Sequence, residues 1–166
     1  TLFFSAEVTP APDGVSTWTE EGVMADTAEA SGQEAGAVLE WDQLEAPAEL
    51  VVGLSFQTLD QARTNRASEA SGGFEAARER NRGTWRARLE RIRVRGGTEE
   101  QRTNFYTALY NTYRMPTRLD EGGKYRGIDG EIHDTEHRYF TDLSLWDTYR
   151  TLHPWWTFFD HAAQRD

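Results

Sequence analysis

The sequence contains no cysteine, a single lysine and no long apolar run. Without cysteine, neither a disulfide nor thiolate chemistry is possible within these 166 residues. A helix that spans a bilayer needs about 18 or more consecutive apolar residues, and the sequence predicts none. The chain also begins without methionine or a signal peptide, in strand-like sequence, so we expect it to be an internal piece of a longer protein.

Basic residues are missing from the first 50 positions, which hold 11 Asp or Glu and no Lys or Arg. The remaining positions carry 18 basic residues against 17 acidic ones, so the formal net charge of −10 belongs to the first third. A surface this negative repels phosphate backbones and anionic lipids. We therefore do not expect a nucleic acid as a partner.

Residues 1–57 have the pattern of an antiparallel β-sheet. The runs "LFFSAEV", "GAVLEW" and "ELVVGLSF" are short, rich in β-forming residues and separated by Gly, Pro, Asp and Ser. No helical pattern lies between them, which favours antiparallel pairing and membership of a β-sandwich.

The pattern becomes helical at residue 58. A possible capping box, Thr58 with Gln61, starts one helix, and a second helix follows two glycines at 72 and 73. The second helix is rich in Arg and Glu but carries one apolar stripe, formed by Trp85, Leu89 and Ile92. We interpret residues 58–97 as a helical linker between two domains.

A third helix is predicted over residues 98–115. Thr98 and Gln101 form a second possible capping box, and Pro116 marks the end of the helix. Apolar and aromatic side chains cover much of its circumference, which is typical of a helix buried among other helices. Residues 98–166 therefore have the pattern of the first part of a larger helical domain.

One short pattern suggests a metal site, but its surroundings do not support it. His133, Glu136 and His137 follow the H-x-x-E-H order of one class of zinc peptidases, in which a helix brings both histidines to one face. Glycine-rich turns before this pattern and strand-forming residues after it predict a polar hairpin loop instead.

A serine, an aspartate and a histidine lie within ten positions of one another, at Ser144, Asp147 and His153. No G-x-S-x-G turn surrounds the serine, and such groupings are common by chance. We do not expect a catalytic triad here.

The most aromatic stretch, residues 139–159, contains 8 of the 20 aromatic residues and the heptapeptide "SLWDTYR". Large rings usually build cores, and we expect this of Phe158 and Phe159. A helix beginning in the heptapeptide would place Trp146 and Asp147 in its first turn. There the carboxylate could cap the helix, or the indole and the carboxylate could together bind a sugar. The residues alone leave both explanations open.

Residues 104–158 resemble the characteristic segment of glycoside hydrolase family 92, the bacterial α-mannosidases. Three pieces carry the resemblance in order: "FYTALY", "YRGIDG" and "SLWDTYRTLHP". Upstream, "GLSFQTLDQARTNRASE" is similar to the crossing from the N-terminal domain into the linker helices, and "LFFSAEV" is similar to a strand of that domain.

The resemblance implies an α+β multidomain fragment with three parts. Residues 1–57 would be the end of an antiparallel β-sandwich, residues 58–97 the helical linker, and residues 98–166 the start of an incomplete (α/α)6 barrel. Because the active-site face would then be only partly built, we expect the chain alone to be inactive.

The resemblance also implies an activity: exo-acting, inverting, calcium-dependent hydrolysis of terminal α-linked mannose from glycans. The general acid, the general base and the calcium ligands of the family lie in later barrel segments, so no catalytic or metal-binding residue is assigned here. Trp146 and Asp147 are implied to bind the terminal mannose. Such a parent protein would be periplasmic or secreted.

Two alternatives stay open on this reasoning. The parent could be a carbohydrate-binding relative without the catalytic carboxylates, or another (α/α)6 glycosidase such as a trehalase-like enzyme, because a W-D-T element also occurs there. Neither the α-linkage that is cut nor the oligomeric state follows from the sequence.

Overall fold

Residues 1–166 are all described by the computed structural model, which contains nine strands and six helices. The strands are β1 (Phe3–Thr9), β2 (Gly14–Thr19), β3 (Gly22–Met24), β4 (Ala35–Glu40), β5 (Glu49–Ser55), β6 (Thr117–Arg118), β7 (Lys124–Arg126), β8 (Ile132–Asp134) and β9 (Phe140–Thr141). The helices are α1 (Leu59–Glu69), α2 (Gly73–Leu89), α3 (Glu99–Asn111), α4 (Leu145–Thr148), α5 (Leu152–Phe159) and α6 (His161–Arg165). None of these helices is long and apolar enough to cross a membrane.

The first five strands form two separate antiparallel sheets. β1 pairs with β5 along its whole length, from Phe3 opposite Ser55 to Thr9 opposite Glu49. In the other sheet β2 lies between β3 and β4. The three predicted strands are confirmed and all pair antiparallel, but β4 lies in a different sheet from β1 and β5 and pairs with a strand that was not predicted. Strands β2 and β3 were not predicted, because β2 carries Ser and Thr at several positions and β3 has only three residues.

One face of the β1–β5 sheet is covered by α1. Gly53 and Ser55 of β5 point toward the helix and are buried, as is Ala62 of the helix at 0% exposure. A Cβ atom on Gly53 would lie 2.4 Å from the carbonyl oxygen of Ala62 and 2.6 Å from the backbone nitrogen of Arg66. The helix can therefore approach the strand this closely only because residue 53 has no side chain.

The opposite face of the same sheet is apolar and exposed. Side chains alternate along a strand, so the residues between the buried ones all point away from α1. Their exposed fractions are between 47% and 64%, for Phe4, Leu50, Val52 and Leu54. Both faces of this sheet thus carry apolar residues, as they do in a sheet that is covered on both sides.

The two predicted capping boxes differ in the structure. At α3 both reciprocal bonds form: Gln101 N–H donates to the Thr98 hydroxyl, and the Gln101 side chain accepts from the Thr98 N–H. At α1 the Thr58 hydroxyl accepts from the backbone N–H of Gln61, but the Gln61 side chain donates to Asn65 instead. Only the first of the two capping boxes is therefore complete.

The linker region packs on α3 through aromatic side chains. Trp85 of α2 lies 4.5 Å, between ring centroids, from Tyr110 of α3. The Tyr106 hydroxyl donates to the carbonyl of Ile92 at 3.2 Å and accepts from the N–H of Val94 at 3.3 Å. The predicted stripe is confirmed for Trp85 and Leu89, which are half-buried, whereas Ile92 follows the end of the helix.

The segment after α3 is a nested hairpin. The helix ends at Asn111, four residues before the predicted end, because turns fill the residues up to Pro116. β6 then pairs with β9, and inside this pair β7 pairs with β8. Tyr125 of β7 stacks on Tyr139 with 4.0 Å between ring centroids. The predicted polar hairpin and the strand at Phe140–Thr141 are confirmed.

A polar junction joins this hairpin to the end of β5 and the start of α1; we define it as Gln57, Asn65, Glu121 and Arg126. Gln57 is only 3% exposed, and its side-chain amide donates to the carbonyls of Glu121 at 3.0 Å and Lys124 at 2.8 Å. The Glu121 carboxylate accepts from the N–H of Phe56 at 2.9 Å and from the Asn65 amide at 2.8 Å.

Arg126 completes the polar junction from the hairpin side. Its guanidinium donates to the carbonyls of Phe56 at 2.6 Å and Gln57 at 2.5 Å, and to the carbonyl of Gly130. Hydrogen bonds from a charged donor are stronger than those between neutral groups. The hairpin is thus held on the end of β5 and the start of α1 mainly by directional polar contacts.

We expect Gly53→Ala to destabilise the protein by about 3 kcal/mol, because a methyl group at this position collides with helix backbone that cannot move aside. Gly83→Ala is the matched control: nothing lies within 4 Å of a Cβ there, and the residue is inside α2. The control should be neutral or stabilise by about 0.5–1 kcal/mol. Urea unfolding of both variants measures the difference; equal effects would show that α1 does not approach β5 as described.

We expect Gln57→Ala to destabilise the protein by about 1–3 kcal/mol, because two carbonyls of the hairpin lose their buried donor. The control Gln33→Ala removes an exposed amide from a loop and should change the free energy of unfolding by less than about 0.5 kcal/mol. Chemical denaturation gives both values. A Gln57 variant as stable as the control would contradict the role of the polar junction.

Candidate functional site

The histidines of the H-x-x-E-H pattern do not form a metal site. His133 lies in strand β8, where its Nε2 is 2.9 Å from Oδ2 of Asp129. His137 Nδ1 is 3.3 Å from Oδ1 of Asp166. His137 follows the end of β8, so the two rings do not lie on adjacent turns of a helix as the pattern requires, and no group of three or more His, Asp or Glu residues in this chain could hold a metal ion.

The serine, aspartate and histidine of the possible triad are not assembled either. His153 Nδ1 lies 3.2 Å from Oε1 of Gln164, and the histidine makes no hydrogen bond to Ser144 or Asp147. The Ser144 hydroxyl donates to the Asp147 carboxylate. A serine that donates to a carboxylate, with no base beside it, is not an activated nucleophile.

The heptapeptide begins just after β9, where the chain turns sharply. Asp142 has a positive φ of 59°, and the N–H of Ser144 donates to its carbonyl at 2.9 Å. Helix α4 follows with Ser144 as its N-terminal cap, so Trp146 and Asp147 lie in the first turn as predicted.

The Asp147 carboxylate does not cap the helix. Its Oδ2 accepts from the Ser144 hydroxyl, and neither oxygen accepts from a backbone N–H. The side chain is exposed, and its Oδ1 accepts no hydrogen bond within the chain. Capping therefore does not account for a carboxylate at this position, whereas a free acceptor oxygen suits a ligand with hydroxyl groups.

Trp146 is 73% exposed, and one side of it is occupied by Arg150. The guanidinium carbon of Arg150 lies 5.5 Å from the centre of the Trp146 ring and 5.3 Å from the centre of the Tyr149 ring. Arg150 Nε also donates to the Tyr149 hydroxyl at 2.9 Å. This cation–π contact leaves a flat apolar surface of the indole open to a ligand.

The other aromatic residues of this stretch divide between core and surface. Trp156 is 6% exposed and packs against Phe140 of β9 at 6.2 Å between ring centroids. Phe159 is 39% exposed and lies 4.1 Å from Trp155. The core position predicted for Phe158 is wrong for this chain, because it is 75% exposed, and Phe159 is not buried either. Two residues of helix rotate a side chain by about 200°, so Phe158 faces away from the surface that Trp156 covers.

A cleft lies elsewhere in the chain, between α2, the end of α3, the base of the hairpin and α5. Its volume is about 370 Å³. It is lined by arginines and aromatic rings, namely Arg88, Arg114, Arg118, Arg138, Trp85, Tyr113, Phe140 and Trp156. Neither Trp146 nor Asp147 lines this cleft. These two residues lie on an open surface of this chain.

Asp120 fixes the base of the hairpin that leads to the heptapeptide. Its carboxylate is 6% exposed and accepts from Arg118 Nε at 2.7 Å and from the N–H of Tyr139 at 2.9 Å. The Arg118 guanidinium, and secondarily the Tyr139 N–H, hold the pKa of Asp120 below its usual value, although burial opposes them. The carboxylate is therefore ionised at neutral pH and joins both strands of the β6–β9 pair.

One known protein family matches this chain. The family model of the glycosyl hydrolase family 92 catalytic domain matches residues 61–166. The chain belongs to glycoside hydrolase family 92. No curated protein sequence matches the chain.

Solved structures of family 92 have the same fold. The GH92 family glycosyl hydrolase ccman5 is 31% identical over 99% of this chain, with a TM-score of 0.89. An inverting mannosidase of the family from Bacteroides thetaiotaomicron is 26% identical over 94% of this chain, with a TM-score of 0.86. An α-mannosidase from the same bacterium, at 23% identity and 93% coverage, has a TM-score of 0.78 and shares the fold. This chain spans 22% of the length of each of these proteins.

Trp146 and Asp147 of the family 92 segment lie in the local structure predicted for them, but their contacts with neighbours were not predicted. Ser144 was considered only as a possible nucleophile, and Arg150 was not considered. The spacing of Trp146 and Arg150, four residues apart, was a usable signal, since side chains at this spacing meet on a helical turn. The contact between Asp120 and Tyr139 joins residues 19 positions apart, and no local sequence pattern predicts it.

We expect Asp120→Asn to destabilise the family 92 protein by about 1–3 kcal/mol at neutral pH, because a buried ionised acceptor is lost. A lowered pKa stabilises the folded state above the unfolded value of about 3.9, and this stabilisation disappears as the pH falls through the folded pKa. The difference between the variant and the unchanged protein should therefore shrink in acid.

Urea unfolding of both proteins over a series of pH values from neutral to strongly acidic measures this difference. Asp26→Asn is the matched control, because Asp26 is an exposed loop aspartate for which the structure shows no such partner. A stability gap that stays constant into strong acid would contradict the role of the Asp120 charge.

Proposed function

We propose that the full-length protein is an inverting exo-α-mannosidase that removes terminal α-linked mannose from glycans. The observation that carries this proposal is family membership together with similarity over nearly the whole chain to solved family 92 proteins. One of these, at 26% identity, is an inverting mannosidase. Membership of family 92 argues against the alternative of a trehalase-like enzyme.

The proposed reaction needs groups that lie outside this chain. Inversion requires a carboxylic acid to protonate the leaving oxygen and a carboxylate, roughly 6.5–9.5 Å away, to activate water on the opposite face of the sugar. We assign neither role to a residue of this chain and expect both downstream. Calcium, as proposed for the whole enzyme, would bind sugar oxygens. We expect its ligands, like the general acid and base, to lie in later segments of the full-length protein.

Within this chain, Asp147 and Trp146 are proposed to bind the terminal mannose. The free Oδ1 of Asp147 can accept a hydrogen bond from a sugar hydroxyl. The open face of Trp146 can contact the C–H bonds of the sugar ring. These contacts would orient the sugar, so the role proposed for Asp147 is binding and not general acid or base catalysis.

We also infer how the chain fits into the larger protein. Strands β1 to β5 would belong to the end of an N-terminal β-sandwich, and helices α3 to α6 to the first part of an (α/α)6 barrel. The exposed outer face of the β1–β5 sheet supports the first inference, since a further sheet would cover it. The exposed Phe158 of α5 supports the second, since further barrel helices would cover it. A periplasmic or secreted location would give such an enzyme access to mannose-terminated glycans.

The proposal is tested by incubating the full-length protein with a set of α-linked mannobioses, with and without a calcium chelator. We expect release of mannose from at least one linkage, strong loss of activity on chelation, and recovery when calcium is restored. Proton NMR of the first product would show the β-anomer of mannose, because the reaction inverts the anomeric centre.

The same assay separates the proposal from its alternatives. Release of the α-anomer would contradict inversion, and activity unaffected by the chelator would contradict the need for calcium. No release from any mannobiose, by a protein that still binds mannose in calorimetry, would identify a non-catalytic carbohydrate-binding relative.

A further inference from the structure

We propose that Ser144 is a positioning residue, whose hydroxyl holds the Asp147 carboxylate in the orientation that binds the sugar. This inference rests on the proposed role of Asp147 as a sugar-binding residue. The observation behind it is the hydrogen bond from the Ser144 hydroxyl to Oδ2 of Asp147.

The backbone of Ser144 is held firmly in place. Its carbonyl accepts from the N–H of Asp147 at 3.0 Å, from the N–H of Thr148 at 3.1 Å and from the Thr148 hydroxyl at 3.1 Å. Its own N–H donates to the carbonyl of Asp142 at 2.9 Å. Thr148 is 8% exposed and so anchors this turn to the interior. This backbone fixes the point from which the hydroxyl extends, and the χ1 angle of the serine has only three staggered positions.

The hydroxyl is also not used for helix capping. A serine at the cap position commonly accepts from a backbone N–H two or three residues later. Ser144 occupies the cap position of α4, but its oxygen makes no such bond. As a donor the hydroxyl makes one hydrogen bond, to the Asp147 carboxylate. The geometry therefore points to a function for the hydroxyl at the carboxylate.

The consequence concerns the free energy of binding. The Asp147 side chain is exposed and would otherwise sample several rotamers, one of which suits the ligand. If one carboxylate oxygen is already held before binding, less side-chain entropy is lost when the ligand binds. Oδ1 stays available to a sugar hydroxyl. Loss of one such hydrogen bond should weaken sugar binding by about three- to tenfold.

The test uses the full-length enzyme with Ser144→Ala, Ser144→Thr, Asp147→Ala and the double variant Ser144→Ala/Asp147→Ala. KM and kcat are measured on the mannobiose that the unchanged enzyme cleaves. Mannose binding is measured by calorimetry as well, because it requires no turnover. The control is Thr151→Ala, which removes an exposed hydroxyl that makes no side-chain hydrogen bond at the start of α5.

We expect Ser144→Ala to raise KM and the dissociation constant of mannose about three- to tenfold while kcat changes little. Ser144→Thr keeps the hydroxyl and should retain most of the affinity of the unchanged enzyme for mannose. In the Asp147→Ala background the serine substitution should have no further effect, because Ser144 acts only through Asp147. The control should leave KM, kcat and the melting temperature unchanged.

The outcomes separate this inference from the proposed function. If Asp147→Ala binds mannose as tightly as the unchanged enzyme, the sugar-binding role of Asp147 is wrong. If Asp147→Ala weakens binding and Ser144→Ala does not, only the positioning role is wrong. The positioning role is also wrong if Ser144→Ala weakens mannose binding equally with and without the Asp147 side chain. It is likewise wrong if Ser144→Ala lowers the melting temperature without changing the affinity for mannose.

Discussion

The polar junction is the contact on which the rest of this arrangement depends. It joins the end of β5 to a hairpin more than 60 residues later in the chain, through hydrogen bonds with sequence separations of 56 to 70. Few apolar side chains are buried in the chain, so apolar packing alone would hold this hairpin weakly. Hydrogen bonds are directional, and they fix both the position and the rotation of the hairpin. A buried amide such as Gln57 also penalises any alternative docking that leaves it unpaired.

The location of the candidate sugar-binding residues follows from this junction by a series of contacts. Arg126 and Glu121 hold the inner part of the hairpin, and Asp120 joins the two strands at its base. β9 leaves this base and ends one residue before Asp142, whose left-handed conformation turns the chain into α4. The orientation of Trp146 therefore depends on distant residues of β5 and α1 as well as on its own short helix. A helix of four residues would not be stable without such support.

Features with a local cause could be predicted from the sequence, and features with a distant cause could not. The capping box at Thr98 and the hairpin around His133 depend on neighbours within a few positions, and both are confirmed. The half-formed box at Thr58 differs because Asn65, one turn further along, competes for the Gln61 side chain. The close approach at Gly53 depends on a helix that the strand meets only in three dimensions. Phe158 shows a different limit, because aromatic character predicts burial somewhere but does not say which surface covers it.

The single lysine of the chain has a practical consequence. Lys124 is in β7, its side chain is 52% exposed, and its carbonyl accepts from Gln57 within the polar junction. A lysine-specific protease has one cleavage site in these 166 residues, and it lies where the hairpin meets the segment between β5 and α1. A protease must bind its substrate in an extended form, so cleavage requires this hairpin to open. The rate of cleavage after Lys124 therefore reports the local opening of the hairpin at the polar junction. Mass spectrometry of the cleavage products measures this rate without an added label.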